Sequence, residues 1–191
     1  MKRWTVLCLS VWLLFMVGGA AAAQKLDFVQ YDSPAYGVGI LYPGTWEKLE
    51  NFQGTVAAFR APLEGPQDTF RENVNIMGGN LPSQPMDLDS YIKMNLEELQ
   101  KSFGNFALTS SKKDTIDGND AMRIEFTGNA GDGMQIKWLQ VYAIKGSNAY
   151  IFTYCAPPDC YLQYIPIVEQ MLRSFKIKAS NSKLGMHEHS L

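Results

Sequence analysis

Histidine is almost missing from this chain: there are two, His187 and His189, both near the C-terminus. Histidine is the usual general base near neutral pH. A Ser–His or Cys–His nucleophile system inside a fold is therefore excluded. The run His187-Glu188-His189 reads as a solvated terminus, because a tail offers no neighbouring groups to orient metal ligands. No G-x-x-x-x-G-K-[ST], dinucleotide-type glycine spacing, G-x-S-x-G or H-E-x-x-H occurs. A strong excess of one charge is missing too. Seventeen basic residues stand against 19 acidic ones, and Lys112-Lys113 is only a pair. Nucleic-acid binding needs clustered Lys and Arg, so it is not expected. Together these absences point away from an enzyme.

Long apolar runs are also scarce. The one at the start, Trp4 to Val17, is shorter than the ~20 residues that span a bilayer as a helix. It follows Lys2-Arg3 and precedes small residues from Gly18 to Ala23. A basic start, a short apolar stretch and an A-x-A-like site form a secretory signal peptide, with cleavage expected after Ala23. The expected organisation is a signal peptide over 1–23, one domain over 24–178 and a flexible tail over 179–191. The expected location is periplasmic or extracellular, with no transmembrane segment in the mature chain.

Of three cysteines, Cys8 lies in the leader, and Cys155 and Cys160 remain. In an exported protein such a pair is a disulfide candidate, with free thiols the alternative. The spacing CAPPDC is not the C-x-x-C of a thioredoxin-type redox site.

What is present is a clear alternation of structural periods. Strand-like runs occupy 26–31, 37–42, 55–60 and 72–77, the second stopped by Pro43-Gly44. Leu88, Ile92, Leu96, Leu99 and Phe103 then recur every three or four residues, which predicts a helix with Asp87 or Asp89 as N-cap. Four more strands follow, over 106–116, 121–127, 134–145 and 149–156, the first two joined by the favoured hairpin pair Asp117-Gly118. A closing helix carries Tyr161, Tyr164, Ile165, Val168, Met171, Leu172 and Phe175 on one stripe. Pro166 is tolerated only in a first turn, so the regular helix is expected to start near Tyr164. The order predicts an α+β domain: a largely antiparallel sheet of about eight strands covered by two main helices.

Tyr36-Gly37-Val38-Gly39-Ile40-Leu41-Tyr42-Pro43 with Trp46, then Glu72-Asn73-Val74-Asn75-Ile76, then the aromatic strand Tyr150 to Tyr154 and Met171-Leu172-Arg173-Ser174-Phe175, resemble the PsbP family. The resemblance runs from about Phe28 to Ile177 and implies the Mog1/PsbP-like α/β/α sandwich. Plant members of that family are extrinsic subunits of photosystem II that help retain calcium and chloride. Mog1 binds a small GTPase, and many bacterial relatives are exported. The plain export signal aligns this chain with those bacterial relatives.

Calcium is tested through Asp117, Asn119 and Asp120. Placing Gly118 at the invariant EF-hand glycine puts Lys113 first and Ile124 last, so no EF-hand exists. A hairpin turn accounts for the same residues. On the second long strand, Trp138, Gln140 and Tyr142 share a face and are candidate binding residues, with core packing the alternative. The functional expectation is a non-catalytic binding or assembly module in the cell envelope, with another envelope or membrane protein as partner. An extracytoplasmic protein binding a small molecule or a calcium-type metal is the second reading; no other cofactor is expected.

Overall fold

The computed structural model describes residues 26–178 apart from 83, 84 and 132. The expected leader with its expected cleavage at Ala23, the expected tail over 179–191 and both histidines lie outside the described residues.

The chain runs β1 (Phe28–Ser33), β2 (Val38–Pro43), β3 (Glu47–Glu50), a 3-10 turn (Phe52–Gly54), β4 (Ala57–Arg60), β5 (Asn73–Asn80) and α1 (Leu88–Ser102). It continues through β6 (Gly104–Ile116), β7 (Asn119–Asn129), β8 (Gln135–Lys145), β9 (Asn148–Ala156), α2 (Pro158–Ser174) and β10 (Lys176–Ile177). Seven strands form one sheet in the order β3-β4-β5-β9-β8-β7-β6, and β1-β2-β10 form a second. Every pairing is antiparallel.

Each face of the large sheet carries its own core. Leu139, Val141, Phe152, Tyr154, Val74, Ile76 and Phe59 point to one side, under α2 and the small sheet. Ile124, Phe126, Ile136, Trp138, Tyr142 and Ile151 point to the other, under α1. The α1 stripe is the one the spacing predicts: Ile92 is buried, and Leu88, Leu96, Leu99 and Phe103 pack beside it. Asp87 caps the helix, its carboxylate accepting from the Ser90 N–H at 2.7 Å.

Turn chemistry fixes the register. Asp117 and Gly118 both have positive φ, 49° and 74°. That makes a type I′ turn whose twist matches the β6–β7 hairpin it closes. At the β8–β9 hairpin Gly146 has φ 61°, and Lys145 pairs with Asn148.

Three features depart from expectation. Among the described residues the large antiparallel sheet has seven strands and a second sheet has three; β3 and β10, with four and two residues, are too short to show a period and are not among the expected strands. The strand expected from 55 begins at Ala57. α2 begins at Pro158, not near Tyr164, and contains Pro166. The missing N–H of Pro166 leaves the carbonyl of Leu162, four residues earlier, without a helical donor. Leu162 is 76% exposed, so water reaches that turn.

Candidate functional site

The α1 side of the large sheet is only partly roofed. α1 packs on β6, β7 and β8, which leaves the face of β4 and β5 open. Pair register names what lies there. Arg60 stands opposite Asn73, and Ala58 opposite Asn75. Asn73 in turn faces Cys155, and Asn75 faces Thr153. The rows continue across the sheet to Trp138 and Gln140. Within one face the surface therefore changes from aromatic under α1 to amide and guanidinium beyond it.

Two loops raise walls on this open end, and the result is a cavity of about 420 Å³. Its floor is Ala58, Arg60, Asn73 and Asn75; Phe52, Gln53 and Thr55 border it on one side, and Thr69, Phe70 and Arg71 on the other. The first wall is held in an unusual backbone. Asn51 and Gln53 are left-handed, at φ 52° and 48°, and Gly54 follows at 79°. A non-glycine residue in that region costs about 1–2 kcal/mol, and such strain concentrates at ligand clamps and switches.

The cavity lining includes two arginines and no carboxylate. Behind them Glu47 accepts from Arg60 Nη2 at 3.1 Å and from Arg71 Nη1. The Arg71 hydrogen bond holds the Glu47 carboxyl below its ordinary pKa. Arg71 is otherwise committed to backbone, through Nε to the Ala61 carbonyl at 2.6 Å and Nη2 to the Arg60 carbonyl at 3.3 Å. Arg60 is less satisfied: its guanidinium lies over the Phe52 ring at 5.5 Å, and its buried Nε has no acceptor among the described residues. Local charge is thus two cations against one anion.

The expected site residues fall as follows. Trp138, Gln140 and Tyr142 do share a face, but α1 covers it, leaving Trp138 8% and Tyr142 1% exposed. Trp138 stacks on Phe126 at 5.1 Å, so both aromatics are core. Gln140 is half-buried and links that core to the open end, accepting from Tyr142 Oη at 2.5 Å and donating to Thr153 Oγ1 at 3.2 Å.

Asp117 and Asn119 are engaged by β10 and by the turn's own backbone, and Asp120 pairs in register with Thr115. Asp117 accepts from Lys176 Nζ at 2.9 Å and the Ile177 N–H at 3.1 Å. Asn119 donates back to the Ile116 and Asp117 carbonyls. Among the described residues no group of three or more His, Cys, Asp or Glu is placed to hold a metal ion.

Cys155 and Cys160 are free thiols rather than the candidate bridge. Cys155 belongs to the α1-side core, whereas α2, which carries Cys160, packs on the opposite face. Burial pushes the Cys155 thiol up to about 12, which keeps it protonated and unreactive.

The residues missed in sequence are Arg60, Asn73, Asn75 and the loops around them. One signal was available: in Glu72-Asn73-Val74-Asn75-Ile76 the alternation puts two amides on one face of an internal strand.

A seven-stranded antiparallel sheet with one helix on one face, and a helix plus a small sheet on the other, is the Mog1/PsbP-like sandwich. Solved structures share it at low identity. The solution structure of cyanobacterial PsbP (CyanoP) from Synechocystis is 17% identical with a TM-score of 0.59, over 84% of this chain and 98% of that one. LpqN, described as involved in cell envelope biogenesis of Mycobacterium tuberculosis, is 13% identical with a TM-score of 0.63, over 81% and 92%. The Saccharomyces cerevisiae Ran-binding protein Mog1p is 7% identical with a TM-score of 0.58, over 84% and 100%. No curated protein matches the sequence. The PsbP family model matches residues 26–177, and the chain belongs to the PsbP family.

Proposed function

We propose that this PsbP-family chain is an exported, non-catalytic binding module of the cell envelope, and that its ligand seats in the groove over β4 and β5. The observation that carries the reading is the groove itself. A cavity of about 420 Å³ falls within the roughly 300–1,000 Å³ of small-molecule sites. It combines two phenylalanine rings with amide, hydroxyl and guanidinium groups, and one wall is a strained loop. These groups bind and orient; none is a nucleophile paired with a base.

Two further observations support the setting. The leader has the three parts of an export signal. LpqN, a structural neighbour, is described as involved in cell envelope biogenesis. No helix among the described residues is long and apolar enough to cross a membrane. Within the two functional expectations, the groove's size favours a small polar ligand over a protein surface.

The test is a melting experiment with a dialysable envelope extract of the host. Wild type should gain several degrees, since a ligand at ~100 times its Kd adds about 2.7 kcal/mol to native stability. Asn75→Trp, which fills the groove floor, should melt normally in buffer and lose the response. Equal responses of the two proteins, or none in either, would contradict the reading.

A further inference from the structure

The groove's charge and hydrogen-bonding pattern name a ligand class, and this inference rests on the groove being the binding site. Two guanidiniums, Arg60 and Arg71, share the single carboxylate of Glu47, so the cluster keeps one positive charge. Arg71 is immobilised by three acceptors. Arg60 is not: its Nη2 is tied to Glu47 and its guanidinium lies against Phe52 at the groove wall, while its Nε is buried and has no acceptor among the described residues, so the Nη edge is the part a ligand can meet.

An unmatched guanidinium in a partly desolvated site is completed by an anion, and its planar fork suits a carboxylate. A phosphomonoester would bring about −1.5 to −2 charges, more than the cluster can balance. The space is far larger than a lone inorganic ion needs. Asn73 and Asn75 add amides on the floor, and Phe52 and Phe70 add apolar faces.

We infer that the groove binds an organic monocarboxylate, with its carboxylate on Arg60, its hydroxyl or carbonyl groups on the Asn73 and Asn75 amides, and its ring or chain between Phe52 and Phe70. Glu47 acts as an internal competitor. It occupies part of Arg60 when the groove is empty and yields that part to the ligand.

The experiment titrates the mature full chain with matched probes, using calorimetry and backbone-amide NMR. The probes are D-glucuronate against D-glucose and D-glucose 6-phosphate, and 4-hydroxybenzoate against 4-hydroxybenzyl alcohol. At least one carboxylate should bind at least about tenfold tighter than its neutral counterpart, as expected for a charge-assisted contact, and should weaken with added salt. Arg60→Gln should remove that preference. Glu47→Gln should tighten carboxylate binding severalfold, a gain that misfolding cannot produce.

Neither carboxylate outbinding its neutral partner would overturn the inference. So would tighter binding of the phosphate than of glucuronate, or a Glu47→Gln variant that binds no better. If the envelope extract still stabilises wild type and not Asn75→Trp, the groove stands as a binding site and only its ligand class falls.

Discussion

Glu72 carries its carboxyl into the interior: the residue is 3% exposed, and Oε2 has no partner among the described residues. Burial raises its pKa above the ordinary 4.5, and the charges of Asp68 and Glu64 push the same way. Glu64 is held nearby, accepting from Tyr164 Oη and Gln163 Nε2, each at 2.6 Å. The sign of the linkage follows. A carboxyl whose folded pKa is raised contributes its stability fully below the unfolded value, and that contribution is lost as pH rises through the folded value. Glu72→Gln cannot ionise. Its stability relative to wild type should therefore climb as pH rises from 4 through the neutral range, measured by urea denaturation at each pH. A constant difference would mean that the Glu72 carboxyl titrates alike in the folded and unfolded chains, so that burial does not raise it.

At the scale of elements, Arg123 on β7 ties the sheet to α2. Its Nη atoms donate to both carboxylate oxygens of Glu169, at 2.5 and 3.2 Å, and its Nε donates to Asp114 on β6 at 2.8 Å. The Glu169 hydrogen bond comes first among the causes that raise its pKa. The side chain is 11% exposed. Arg123→Ala leaves two half-buried carboxylates without their cation and should cost about 2–3 kcal/mol, read from the shift of the urea midpoint at unchanged slope. A loss below about 0.5 kcal/mol would place this triad with surface pairs that contribute little.

The elements differ in how much of them the sequence carries. Both helix stripes, the Asp87 cap and the Asp117-Gly118 turn are local chemistry, and they appear in place. β3 and β10 are not local: Lys176 and Ile177 become a strand only because Gly39 and Val38 lie opposite them. Pro158 and Pro166 set two local rules against each other, and the packing of Tyr161 and Tyr164 in the α2-side core extends the helix to the earlier proline. Trp138 and Tyr142 show the limit for sites. Alternation gives their shared face, but whether a helix covers it depends on where α1 docks. Arg60, Arg71 and Asn73 meet only through strand pairing and a loop closed by the Ala61 N–H to the Glu72 carbonyl at 2.8 Å, none of which a linear pattern displays.

For the whole molecule, the decisive geometry is a sheet wider than its roof. Seven strands lie side by side, α1 covers the β6–β8 end, and the β4–β5 end of the same face stays open between two loops. A PsbP-like fold thereby gains a concave polar site without disturbing either core. The exposed Leu162 on α2 and the long edge strand β6 are the competing surfaces, one apolar and one offering unpaired backbone. Backbone-amide NMR mapping of the folded domain, as dialysable envelope extract is added, separates these surfaces directly. The account predicts shifts confined to Gln53, Thr55, Ala58, Arg60, Phe70, Asn73 and Asn75. Shifts centred on Leu162 or along β6, with those seven unmoved, would contradict it.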